Sequence, residues 1–270
     1  QAFLNAGIES SPIPFSGLWP STEGTYYLII VLSASDEGDT SNDTLSSSAI
    51  PVIDSGRFVL AGENGLLMYS DDAGITWTSA AGVSTSSELR DLATNGLGLW
   101  VVVGDEMKLY YSTDNGESWL AGSITGTSYS NDLTGVAYDG NGNWVASGIY
   151  IGETTTLYSS DGINWSLKAI GGSPRLESVA YDSANARWIS PDVSMTNWYH
   201  SDTYNGSWSY HSGMAGGPYS SVTFGGDRVV GVGGNTGGTD DNLGFITSGT
   251  SWVESTTNPT SGSDSYFESA

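Results

Sequence analysis

Thirty carboxylates against seven basic side chains and two histidines define the chemistry open to this chain of 270 residues. Two carboxylates about 5 to 9.5 Å apart suffice for glycoside hydrolysis, one acting as acid and the other as nucleophile or base. With so many acids such a pair forms easily and is hard to nominate. Glu88, Asp91, Asp132 and Glu177 are the best placed, because each lies in or near a segment that opens a repeat. The commoner role of such acids is to solvate a wall. His200 and His211 are eleven residues apart, without metal-ligand spacing, so zinc is not indicated. The absence of Cys removes disulfides and thiolate ligands. Gly231, Gly233 and Gly234 lie in a strand and the loop after it, with no helix to follow, so a phosphate-cradling loop is not indicated either. Oxygen-rich stretches at 36–43 (DEGDTSND) and 235–242 (NTGGTDDN) could hold Ca2+, but neither has EF-hand spacing. Hydrogen-bonded turns are their default, and no cofactor is expected.

The elements that position these residues follow from a repeat. Trp77, Trp119, Trp165, Trp208 and Trp252 are separated by 42, 46, 43 and 44 residues, a period typical of small-sheet arrays. Ahead of the first two stands one phrase, S-x-D-x-G-x-x-W, carried by Ser70, Asp72, Gly74 and Trp77 and again by Ser112, Asp114, Gly116 and Trp119. The third copy, Ser159, Asp161, Gly162 and Trp165, is one residue tighter. The fourth, at 201–208, keeps Ser, Asn-Gly and Trp208 but moves its acid, and the fifth, ending at Trp252, is worn down further. Asp accepts turn N–H groups, Gly takes the positive φ of a tight hairpin, and Trp covers the turn as the next strand starts.

Each repeat reads as four strands. In the second these are 88–94, 99–104, 109–114 and 118–121, with a turn at 95–98. The third has 133–139, 143–148, 157–160 and 164–167. The fourth has 176–182, 187–190, 198–201 and 207–210, and the fifth 220–225, 228–233, 244–247 and 251–254. No stretch sustains a 3.6 period, so helix should be nearly absent.

These phrases resemble the Asp-box, or BNR, repeat of sialidase-like β-propellers, with the copies at 70–77 and 112–119 carrying most of the likeness. The resemblance implies a single all-β propeller of four-stranded antiparallel blades, each box joining third and fourth strands away from any ligand site. It implies architecture far more than chemistry. A sialidase of this kind grips its substrate carboxylate with three arginines, and uses a Tyr–Glu nucleophile and an Asp acid/base. Here Arg57, Arg187 and Arg228 sit at second-strand starts, where Arg covers a hairpin, and no Arg-Ile-Pro phrase occurs. That leaves Arg90 and Arg175 near the expected channel mouth, too few for the clamp, so an enzyme is the less favoured reading.

The first clear repeat begins near Ala49, leaving 1–48 as a blade's worth of chain, and 265–270 (SYFESA) resembles the inner strands. Six blades are therefore expected, the last a composite of N- and C-terminal strands that removes open edges. The alternative has five blades, with 1–48 as an attachment arm and 49–270 as the propeller. The formal charge of −23 speaks against nucleic acid and anionic membrane, and suits a saline setting or a basic or cation-bridged partner. The longest apolar run, 26–32, is far short of the ~20 residues of a membrane helix, so no insertion is expected.

Loops between second and third strands, and between fourth and first, share one propeller face and are the long ones: 79–87, 122–131, 147–156, 190–197, 211–218 and 233–242. They carry or border Tyr129, Tyr150, Trp198 and Tyr219, which with Arg90 and Arg175 form the candidate ligand-binding set. Local packing under the loops is the equal alternative. Acidic, Cys-free, Ser/Thr/Gly-rich chains of this kind resemble BNR-type propellers encoded by environmental phages. That likeness implies an extracellular or virion-surface tail, fibre or decoration component, oligomeric or not, that binds glycan, a host receptor or other virion proteins. Competing readings are a sialidase-like glycoside hydrolase and an assembly scaffold similar to the photosystem II assembly-factor propellers.

Overall fold

A computed structural model describes residues 57–126, 131–149, 154–170, 174–192, 197–213, 219–225, 228–234, 241–246 and 251–254, with six short strands before residue 53. The chain divides into two compact units, Gln1–Ser55 and Gly56–Ala270. In the first, three antiparallel pairs join Ala2–Leu4 with Ile13–Phe15, Gly24–Tyr26 with Ile50–Val52, and Ile29–Val31 with Thr44–Ser46.

Among its described residues the second unit contains five sheets in chain order, each built on an antiparallel meander whose sequential strands are neighbours. The first sheet is Phe58–Ala61, Leu67–Ser70 and Thr78–Ser79, and the second Leu89–Thr94, Trp100–Gly104, Lys108–Ser112 and Leu120–Ala121. The third is Asp132–Tyr138, Trp144–Ile149, Thr154–Ser159 and Asn164–Ile170, and the fourth Ala180–Asp182, Arg187–Asp192, Asn197–Ser201 and Ser209–Ser212. The fifth is Ser221–Gly225, Arg228–Gly234, Asp241–Ile246 and Val253–Glu254. Two 3-10 turns, Glu63–Gly65 and Asp105–Met107, are the only helical segments among the described residues, as the missing 3.6 period predicts. None is long or apolar enough to cross a membrane.

The second strand of the second sheet is a near-continuous apolar run because it is covered on both faces: Val101, Val102 and Val103 are fully buried. Their side chains alternate between two cores. Val102 joins Leu67 of the first sheet with Leu89, Tyr110 and Trp119, whereas Val101 and Val103 meet Leu133, Trp144, Leu157 and Trp165 of the third. Val145 of the third meets Val179 and Trp188 of the fourth, and Ala180, Ile189 and Trp198 of the fourth meet Tyr219, Val222, Val229, Ile246 and Trp252 of the fifth. The apolar core is therefore a series of layers between successive sheets.

Two expected loops supply backbone pairing to an outer sheet edge. After Leu120–Ala121 the chain crosses to the outer edge of the third sheet, where Ser123–Thr125 pairs in parallel with residues 164–166. One repeat earlier, Ala81 forms an isolated parallel bridge with Ser118, donating its N–H to Glu117 O (2.9 Å) and accepting from Trp119 N (2.9 Å). An outer strand otherwise leaves a row of unpaired backbone groups, and the incoming link satisfies them. The expected fourth-sheet first strand, 176–182, is also shorter. Only Ala180–Asp182 is regular, and Leu176 touches Asp192 through a single bridge.

Candidate functional site

The repeated phrase builds one hairpin three times. Ser70 Oγ donates to Asp72 Oδ1 (2.8 Å) and accepts from Gly74 N (2.9 Å), Thr76 N donates to Asp72 Oδ1 (2.8 Å), and Trp77 Nε1 donates to Gly74 O (3.0 Å). The same bonds run through Ser112, Asp114, Gly116, Ser118 and Trp119. They recur through Ser159, Asp161, Gly162, Asn164 and Trp165, the last with Nε1–O again 3.0 Å. In the fourth copy the acid has moved to Asp202 and Thr203 stands in its place, so Ser201 Oγ donates instead to Thr203 O (2.7 Å), beside a half-buried Trp208. Trp252 is buried, and its Nε1 has no hydrogen-bond partner among the described residues. The hairpins are saturated with internal bonds, which leaves their acids little capacity for a ligand.

Donors from Thr76 and Ser70 hold the Asp72 carboxyl down to about 2. For Asp161, partial burial opposes ionisation, but donors from Asn164, Ile163 and Ser159 outweigh it and again bring it to about 2. A folded value below the unfolded 3.8 means stability that is present above pH ~4 and lost as pH falls toward 2. Asp161→Asn should flatten that acid limb. Thermal melts between pH 2 and 5 check this, and parallel limbs in the two proteins would remove the box acid as its source.

The first strands surround a cavity of about 770 Å3, lined from the second, third, fourth and fifth sheets. Adjacent first strands are bound together by side chains: Val136 N donates to Asp91 Oδ2 (2.7 Å), Thr134 Oγ1 to Leu176 O (2.7 Å), and Val222 N to Ser178 Oγ (3.2 Å). Gly135 permits the closest approach, since a Cβ there would stand 2.9 Å from Ser178 Cα. Arg90, Thr134, Glu177 and Ser220 line one end, each directly after a buried residue, Leu89, Leu133, Leu176 or Tyr219. Tyr138, Tyr181 and Phe224 line the other end.

Electrostatics in this wall are acidic but restrained. Burial pushes the Asp91 carboxyl up to about 6 against the pull of the Val136 and Leu92 N–H groups. Burial likewise raises Glu177, opposed by Arg175 and Arg90. Glu88 and Asp132 lie elsewhere, in a second pocket of about 500 Å3 shared with Glu63, Asp105 and Glu106. The four acids singled out by sequence thus divide into two pairs in two pockets. Arg90 stands between them, lining the cavity while bonding Asp105 and, at 3.0 Å, Glu88.

The rest of the expected ligand set is dispersed. Arg175 is half-exposed, 3.5 Å from Glu177, and is not among the residues lining the cavity. Trp198 (1% exposed) and Tyr219 (0%) are not platforms; both rings lie in the layer between the fourth and fifth sheets, where Tyr219 stacks on Trp252 at 4.7 Å. Tyr129, Tyr150, the 36–43 stretch, residues 235–240 and 265–270 lie outside the described residues. Arg57, Arg187 and Arg228 stand over Tyr69, Trp198 and Phe245 at 4.5, 5.8 and 5.2 Å, in three different sheets. Sequence reading missed Thr134, Ser178 and Ser220. The available signal was their register, one or two residues after each buried residue that opens a first strand.

No protein-family model and no curated protein matches the chain. Among solved structures it is similar to YCF48 bound to D1 peptide, at 20% identity and TM-score 0.52 over 73% of this chain and 63% of that one. YCF48 from Cyanidioschyzon merolae is similar at 16% identity and TM-score 0.52, over 73% and 65%. A chain of a nidogen/laminin complex is similar at 13% identity and TM-score 0.53, over 83% and 89%. The chain therefore spans just under two thirds of the two YCF48 chains. These neighbours are β-propellers, and at such identities the likeness shows the fold alone: this chain is an all-β propeller of antiparallel blades.

Proposed function

We propose that the chain is a non-enzymatic binding propeller that takes an extended, basic segment of a protein partner at the Arg90–Glu177 end of its channel. The observation that carries this is the cavity of about 770 Å3, whose wall presents Asp91 and Glu177 among small hydroxyls. A net charge of −23 favours a cationic partner and speeds its encounter. The neighbours support the mode: one is described bound to a peptide and another in a complex of two proteins. Burial of Trp198 and Tyr219 removes two of the rings on which a glycan reading rested. The setting we propose is an extracellular or virion surface, with the hairpins as Asp-box repeats of the BNR type and the segment 1–48 closing a sixth blade with 265–270. Their shared hydrogen-bond pattern supports the Asp-box reading.

Asp91 and Glu177 in one cavity also give the glycoside-hydrolase reading a specific footing, since burial raises both carboxyls as an acid catalyst requires. One experiment separates the two. Fluorescence anisotropy with labelled Lys/Arg-rich, neutral and Glu-rich 12-residue peptides should show salt-sensitive binding of the basic one, weakened about tenfold by Glu177→Gln, which corresponds to about 1.4 kcal/mol. Turnover of a polysaccharide panel, abolished by Asp91→Asn or Glu177→Gln, with no peptide bound, would replace the binding reading with the enzymatic one.

A further inference from the structure

His200 and His211 carry no metal spacing in sequence, yet the fold brings them together. They lie on neighbouring strands, Asn197–Ser201 and Ser209–Ser212, where Trp198 pairs with His211 and His200 with Ser209, so the three rings share one face. His211 Nε2 stands 2.7 Å from His200 Nδ1, with the rings 4.7 Å apart at 28°. His211 also stacks on Trp198, centroid to centroid 4.3 Å at 20°. Trp198 in turn meets Trp252 of the fifth sheet edge-on at 6.5 Å. The pair is thus the outer cover of a layer that joins the two sheets.

A nitrogen–nitrogen distance of 2.7 Å requires one N–H and one lone pair. Two neutral rings satisfy it, and so does a pair sharing one extra proton. A second proton sets N–H against N–H and two like charges within one stack. The charged surroundings do little to relieve this. Arg187, from the preceding hairpin, adds a further positive charge beside the same assembly, 5.8 Å from the Trp198 ring centroid, and its natural counter-ion, Asp182, is already bonded to its Nε at 3.2 Å. Asp202 is 3.6 Å from His200 Nε2, but its side chain is 82% exposed and its field is screened by water. From the fifth sheet the groups packed on this layer are Tyr219 and Trp252, and on the outer strand Tyr210 donates to Asn197 at 3.1 Å.

We propose that the His200–His211 pair is an acid-operated latch, which holds the outer strand of the fourth sheet over Trp198 while one ring nitrogen stays unprotonated and releases it when both rings are protonated. The inference is independent of what the channel binds. Burial pushes both imidazoles below their ordinary value, and for His211 the neighbouring His200 adds to this. The sign follows. The fold holds the rings neutral while the unfolded chain takes up protons near pH 6.5, so this contribution is whole above that pH and declines as pH falls below it. A protein moved from neutral to acidic surroundings would loosen along the seam between these two sheets.

The test compares the whole chain with His211→Phe, which keeps a ring on Trp198 and cannot titrate. Between about pH 8 and pH 5 the native chain should lose about 3 °C more in Tm than the variant, with a change in tryptophan fluorescence that the variant lacks. Asp91 titrates in the same range, but it is present in both proteins and cancels. Parallel pH profiles would overturn the latch. Should the variant fold poorly, imidazole nitrogen NMR on the native chain decides. One donor and one acceptor nitrogen with coupled titration supports the latch; two independent rings with ordinary values overturn it.

Discussion

Trp119→Ala should lower unfolding free energy by about 3–5 kcal/mol, while Trp77→Ala, the same change in the preceding hairpin, should cost clearly less. Both indoles donate to the glycine carbonyl three residues back at 3.0 Å, so the local bond is equal in the two. What differs is packing. Trp119 is 0% exposed and meets Leu67 of the first sheet together with Leu89, Val102 and Tyr110 of its own, whereas Trp77 is partly exposed. Truncation at 119 opens a cavity between two sheets as well as removing transfer energy, and a domain with 5–15 kcal/mol in total cannot absorb that easily. Urea unfolding followed by circular dichroism checks it. Equal losses at both positions would mean that the hairpin lid, and not the layer between sheets, supplies the stability.

Gly82→Ala is expected to cost about 2–4 kcal/mol, from overpacking together with a left-handed backbone that Ala disfavours. Gly82 follows Ala81 in the link that crosses to the outer edge of the second sheet. Its φ is +88°, and a Cβ there would stand 2.2 Å from Trp119 O. A main-chain carbonyl between the Ser118 bridge and the Leu120–Ala121 strand cannot rotate away as a side chain can. Gly96 and Gly140 are the controls: φ is +71° and +81°, with nothing within 4 Å of an added Cβ, so Ala should cost only about 1 kcal/mol there. Thermal melts of the three variants separate the two contributions. If Gly82→Ala behaves like Gly96→Ala, the link does not press on the outer strand as described.

The hairpins were legible because everything they need lies within eight residues. Ser70, Asp72, Gly74 and Trp77 bond to one another at separations of two to four, so the residue types nearly dictate the geometry. The strands were legible within a few residues for a similar reason, since alternation and Asn-Gly turns are local. Trp198 and Tyr219 illustrate where such reasoning stops. Each borders a loop and offers a ring with a polar edge, which fits a binding platform and a core residue equally well. Trp198 is buried by Tyr219 and Trp252, which reach it only when the fourth and fifth sheets stack, and Tyr219 is itself covered by Trp252 from a distant strand of its own sheet. Ser123–Thr125 likewise has the composition of a loop, and becomes a strand because an outer edge is waiting for it.

By itself the sequence determined the repeat, the hairpins, the all-β class and the acidic character, because these rest on local spacing and on composition. Tertiary structure alone decided which acids share a pocket, which aromatic rings are hidden, and that two histidines eleven residues apart stand 2.7 Å from each other. These are matters of register between strands and of stacking between sheets. A shift of one residue turns every side chain to the opposite face, and nothing in the types of the residues involved records which way they finally point.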